Sequence, residues 1–231
     1  MFLEINGIRL YYEEYGDKNG DPVLFLHGNG GSVKTFERTK EAFTDKRVIL
    51  MDSRGHGQSI FTGKIDFSMM ADDTVGLLNA LNIREISLVG YSDGGIIALE
   101  VAASMKDRVK KLVAIGANTR YNGMKAAFGI QLKAERLWFS ALSFIPKYKK
   151  LKQLFDIMIY QTDITDESLS AITAKTLIVA GERDVIKESH TREIKDKIKD
   201  AELIIVKDAD HFLFSRNNAK INGILKEFLR T

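Results

Sequence analysis

The chain has 231 residues, 45% of them hydrophobic and 28% charged, with two prolines and no cysteine. That composition supports one large α/β domain with a sizeable core; it excludes collagen-like, disordered and disulfide-stapled classes, thiolate metal sites and a cysteine nucleophile. The 34 basic residues against 31 acidic ones give +3, too mild and too evenly spread to make nucleic acid the main partner.

Phe2 to Asn6 and Arg9 to Tyr15 are β-prone runs around Asn6-Gly7, a dipeptide that tolerates the positive φ of a tight turn, so the chain is expected to open with an antiparallel hairpin. Its first residues lack the basic stretch and continuous apolar core of a secretory leader, and no segment approaches the roughly 18 apolar residues of a membrane span. The expectation is a soluble cytoplasmic protein. Six further apolar runs read as strands buried on both faces: Val23 to Leu26, Val48 to Met51, Ile86 to Val89, Leu112 to Ile115, Leu177 to Ala180 and Leu203 to Val206. Helical spacing appears over Met69 to Leu81, Gly94 to Met105, Glu188 to Ile198 and Asn217 to Leu229. Strand and helix in alternation predict a mostly parallel, doubly wound sheet.

One interval breaks that rhythm. About sixty residues separate Ile115 from Thr176, too many for a plain connection, so they are expected to hold helices of their own as an inserted cap. The segment contains the only tryptophan, Trp138, beside Phe139, and a basic stretch from Lys147 to Lys152. Its aromatics read as the cap's own core or as a pocket wall, and its lysines as a solvated helix face or an anionic-surface contact.

The chemistry centres on Gly90-Tyr91-Ser92-Asp93-Gly94-Gly95, between an apolar run and a helical one. A G-x-S-x-G at such a junction makes a turn so sharp that the serine is strained and only glycine fits on its flanks, which lifts the hydroxyl above the carboxyl end of the sheet. Serine attacks only if a base takes its proton and an acid orients that base. Of four histidines, His211 follows the last expected strand at the same edge as Ser92. His190 falls in a helix on a side face, where an exposed and idle histidine is expected, and His27 and His56 lie in glycine-containing loops. Asp184, just after the strand ending at Ala180, is the chosen acid. The glycine-rich His27-Gly28-Asn29-Gly30-Gly31 loop offers backbone N–H groups to an oxyanion, with Asn29 and Asp93 as the donors; it lacks the lysine and hydroxyl of a phosphate-binding loop.

Five ordered motifs together carry a resemblance over nearly the whole chain: Leu26 to Gly31, Asp52 to Ser59, Gly90 to Gly95, Gly181 to Asp184, and Asp210-His211-Phe212. The sequence resembles α/β-hydrolase fold proteins of the short-capped, esterase-like kind. That resemblance implies a sheet of about eight strands, a cap from about 119 to 165, and a single domain spanning 1–231. It further implies Ser92 as nucleophile, His211 as base, Asp184 as orienting acid, and the Asn29 and Asp93 N–H groups as oxyanion donors. Trp138, Phe139 and Phe212 are the expected substrate contacts, and Asp52, Arg54 and His56 are read as structural. The expected reaction is cleavage of a carboxylic ester or similar small acyl compound through an acyl-enzyme, with no cofactor or metal. Relatives that act on haloalkanes or epoxides place aspartate where Ser92 stands, which disfavours those activities. Three rivals stay open: the same triad acting on a carbon-carbon bond, lactone or thioester; a ligand-binding or signalling module; and a metal hydrolase using Asp208, Asp210, His211 and His56. The oligomeric state, monomer or homodimer, is not legible.

Overall fold

The computed structural model describes residues 1–61, 63–160 and 164–230. Strands β1 (Phe2–Ile5) and β2 (Ile8–Gly16) form the opening hairpin, with Ile5 opposite Ile8. Asn6 and Gly7 take φ of 48° and 75°, as a two-residue turn matched to strand twist requires. Six more strands follow: β3 (Pro22–Leu26), β4 (Arg47–Met51), β5 (Ile86–Tyr91), β6 (Val109–Ile115), β7 (Lys175–Gly181) and β8 (Ala201–Val206). Among the described residues they make one sheet in the order β1-β2-β4-β3-β5-β6-β7-β8. Pairing is antiparallel at β1-β2 and β2-β4 and parallel from there on. β3, β4, β5 and β7 are buried along nearly their whole length, which is why each reads as a mainly apolar run rather than an alternating one; β8 corrects the expectation of burial on both faces, because at the sheet edge only its Val206 is fully buried.

The helices are α1 (Glu37–Lys40), α2 (Phe67–Ala80), α3 (Asp93–Ser104), α4 (Ala126–Ala141), α5 (Pro146–Tyr160), α6 (Asp166–Ser170), α7 (Glu188–Lys197), α8 (Leu213–Arg216) and α9 (Asn218–Arg230). They cover both sheet faces with two apolar cores, one holding Leu24, Leu88, Ile97 and Leu112, the other Phe25, Val89, Val113 and Leu225. Adjacent strand residues thus alternate between the two layers, as a pleated strand demands. Among the described residues, no helix is long and apolar enough to cross a membrane.

Between β6 and β7 lie a 3-10 turn at Tyr121–Gly123 and helices α4, α5 and α6. Of the cap expected over 119 to 165, residues 161–163 lie outside the described residues. A small apolar cluster of Met124, Leu132, Ile159 and Ile186 seats this insertion on the loop after β7. His190 is a correction to the sequence reading: it is buried, not exposed, and its Nε2 accepts from the Thr119 N–H at 3.1 Å while Nδ1 lies 3.3 Å from Glu193. The polar look of α7 misleads because these partners satisfy the imidazole inside. His190 thereby ties α7 to the point where the insertion leaves the sheet.

Candidate active site

Ser92 joins β5 to α3 with φ 55° and ψ −121°, a backbone strain of about 1–3 kcal/mol for a residue with a Cβ. A Cβ on Gly90 would strike the Gly94 carbonyl, and one on Gly94 would strike the Leu26 carbonyl. The two flanking glycines therefore let strand, turn and helix approach closely enough to impose that strain. The Ser92 N–H is anchored by the Ile115 carbonyl at 2.7 Å.

His211 and Asp184 come from the loops after β8 and β7 and meet Ser92 at the same sheet edge. His211 Nε2 lies 3.0 Å from Ser92 Oγ and Nδ1 lies 2.8 Å from Asp184 Oδ1. With Nδ1–H donating to the carboxylate, Nε2 is free to accept from the serine hydroxyl. Burial alone would raise the Asp184 pKa, but hydrogen bonding and charge attraction from His211, with the N–H groups of Ile186 at 3.0 Å and Gly181 at 3.4 Å, hold it below the usual carboxylate range. The acid therefore stays ionised beside the imidazole.

The β3 loop lies against the serine, since a Cβ on Gly28 would sit 2.9 Å from Ser92 Cβ. Asn29 does more than sequence reasoning assigned to it. Its side-chain Nδ2 donates to Asp93 Oδ2 at 2.8 Å and to the Leu154 carbonyl of α5 at 3.0 Å, so one amide links the loop, the start of α3 and the insertion. Burial pushes the Asp93 carboxyl up to about 6, although the Asn29 hydrogen bond and the His211 charge pull it down. Among the described residues, the backbone N–H groups of Asn29 and Asp93 have no hydrogen-bond partner in the chain. Tyr91 was also missed. Its hydroxyl donates to the His211 carbonyl at 2.9 Å and its ring lies 5.5 Å from the imidazole, so the residue before the serine fixes the histidine loop.

The expected aromatic contacts divide. Phe212, half exposed, lines a cleft of about 510 Å³ with Gly28, Asn29, Lys34, Arg38 and Tyr91. Phe139 stacks on Tyr148 at 6.0 Å and packs on Phe155 at 5.3 Å, inside the insertion. Trp138 departs from expectation and lies on the insertion's outer face. Helical phase explains both: at about 100° per residue, Phe139 falls on the face of buried Leu132, seven positions earlier, whereas Trp138 is rotated away from it.

The weighed metal set does not converge, because Asp210 pairs with Arg216, His211 is engaged as above, and His56 lies beneath the β3 loop with its ring 5.1 Å from that of His27. The Asp52 to Ser59 loop is built on buried contacts: Asp52 accepts from the Val33 and Gln58 N–H groups at 2.7 Å each, and Arg54 forks onto Asp73 through two 2.6 Å bonds. Burial holds both His27 and His56 down to about 4. They are neutral when folded, whereas an unfolded histidine takes up its proton near pH 6.5, so the stability each contributes is lost as pH falls from about 6.5 towards 4. The cost of His56→Gln, measured by denaturant unfolding, is therefore expected to shrink by about 2–3 kcal/mol between pH 7 and 4.5; a cost independent of pH would contradict a buried neutral imidazole.

Comparison with known proteins adds four relations. The alpha/beta hydrolase fold family model matches residues 21–141, just over half of the chain. Serine hydrolase BPHL of Mus musculus is 28% identical over 99% of this chain and 85% of its own length. The 2-hydroxy-6-oxo-6-phenylhexa-2,4-dienoate hydrolase of Comamonas testosteroni is 31% identical over 72% of this chain and 59% of its own. Among solved structures, Est816, described as an N-acyl homoserine lactone degrading enzyme, is similar with a TM-score of 0.82 and 27% identity over 99% of this chain and 100% of that one. With an eight-stranded, mostly parallel sheet and a strained serine at a strand-to-helix turn, the chain belongs to the alpha/beta hydrolase fold family.

Proposed function

We propose that the protein is a serine hydrolase that cleaves a carboxylic ester or a similar small acyl compound through Ser92, His211 and Asp184. The observation that carries this reading is the unbroken hydrogen-bond relay from Ser92 Oγ through His211 to Asp184. In the first half-reaction, His211 Nε2 takes the Ser92 proton as Oγ bonds to the substrate carbonyl carbon, and the resulting oxyanion rests on the Asn29 and Asp93 N–H groups. Each such donor contributes about 3–4 kcal/mol to the transition state. His211 then hands its proton to the leaving group as the carbon–oxygen bond breaks, while Asp184 keeps the imidazolium paired and oriented. Water, deprotonated by the same imidazole, releases the acyl group and restores Ser92. These steps use only side chains, backbone N–H groups and water. Residues 119 to 165 act as the cap over this site, with Phe212 at its mouth as a substrate contact, and the chain works as one domain.

A second substrate reading, a lactone, is favoured by the likeness to Est816, because an internal ester presents the same carbonyl to Ser92. Incubation with a fluorophosphonate is expected to place one equivalent on Ser92, and p-nitrophenyl acetate to give many turnovers. A stoichiometric burst without turnover would instead assign a binding module, and an adduct on another residue would overturn the nucleophile. Acyl homoserine lactones and thioesters tested beside the acetate separate the bond types.

A further inference from the structure

Helix α4 is apolar on two sides. Its inner side packs in the insertion's core through Leu132 and Phe128. Its outer side carries Ile130, Ala134, Leu137 and Ala141, spaced by four, three and four, a stripe along one helix face. Trp138 adjoins this stripe and Phe144 extends it past the helix end. Ile130, Leu137, Trp138 and Phe144 are 66 to 79% exposed. An ordinary surface helix keeps that face polar, and an exposed apolar stripe of this kind marks an interaction surface.

Charge identifies the partner. Residues 120 to 160 hold eight basic and two acidic side chains, a net of +6 within a chain of only +3, so the remainder is net negative. Lys147, Lys149 and Lys150 follow the stripe directly on the first turns of α5, exposed and with no ion pair among the described residues. A second copy of the chain would bring the same positive charge against it. We propose that the α4–α5 hairpin docks on an anionic lipid surface, with Leu137, Trp138 and Phe144 entering the interfacial layer and the three lysines facing acidic headgroups. An apolar helix face edged by lysines meets the requirement of such a surface, where neither contribution alone gives lasting attachment. Through the Asn29 bond to Leu154, the docked hairpin is the element that stands against the serine loop.

Trp138 is the only tryptophan and reports on docking directly. Vesicles of phosphatidylcholine with about one third phosphatidylglycerol are expected to shift its emission to the blue and to carry the protein down on sedimentation; pure phosphatidylcholine and ~1 M salt, where charges are screened within about 3 Å, are expected to do neither. The triple change Lys147→Gln, Lys149→Gln, Lys150→Gln is expected to weaken partitioning on the order of a hundredfold, and Leu137→Ser with Phe144→Ser at least about tenfold. Turnover of p-nitrophenyl acetate in vesicle-free buffer stays at the wild-type level in both and certifies their fold. Absence of partitioning and of a blue shift, equal binding to neutral vesicles, or a concentration-dependent dimer that buries Trp138 without lipid would each overturn the proposal.

Discussion

Ser92→Ala is expected to lower kcat/KM for p-nitrophenyl acetate by about 10⁴- to 10⁶-fold, which is roughly 5–8 kcal/mol of transition-state stabilisation. The substitution removes one oxygen, the atom that bonds to the acyl carbon, and leaves the Cβ that the turn already accommodates at φ 55°. Alanine meets the same backbone strain as serine, so thermal unfolding is expected to move little. The residual rate reflects donors that still polarise the carbonyl for water. Retention of most of the wild-type rate with an intact fold would remove Ser92 from the chemistry and with it the proposed function.

Asp73→Ala is expected to destabilise the protein by about 3–5 kcal/mol, a large part of the 5–15 kcal/mol that holds a typical domain together. Asp73 is fully buried in α2 and meets the equally buried Arg54 through two 2.6 Å hydrogen bonds, while Asn6 in the first hairpin donates to it at 3.1 Å. Without the carboxylate, a guanidinium is left in the core with no counter-charge. The Arg54→Met, Asp73→Leu double variant is expected to recover much of the loss, because it removes both charges and keeps the volume. Denaturant midpoints measure both, and a single variant within about 0.5 kcal/mol of wild type would show that the pair is not buried in solution.

Much of this architecture was readable before folding because its signals are local. Each strand from β3 to β8 is marked by a mainly apolar run of four residues, and all six appear within a few residues of the expected bounds. The elbow glycines, the Asn6-Gly7 turn and the order of serine, acid and histidine loops depend on neighbours in sequence. What escaped depends on packing between distant segments. Nothing near Asn29 announces that its amide reaches Leu154, 125 positions away. His190 was misjudged because its partner Thr119 is 71 residues distant, and Trp138 because an aromatic in an inserted helix has no sequence mark telling inside from out. The short α1 and α8 carry too few residues for a periodic signal.

The ends of the insertion meet between β6 and β7, where the Ile164 N–H donates to the Thr119 carbonyl at 3.2 Å. Its two anchor points are thus held one hydrogen bond apart, whatever chain lies between them. Lengthening such an excursion costs little, about 0.6 kcal/mol for each doubling, and leaves the strand ends that carry Ser92, Asp184 and His211 in register. The scaffold can therefore trade one roof for another while its reactive floor keeps the same shape, and new substrate preferences become accessible by exchanging a single continuous stretch of chain.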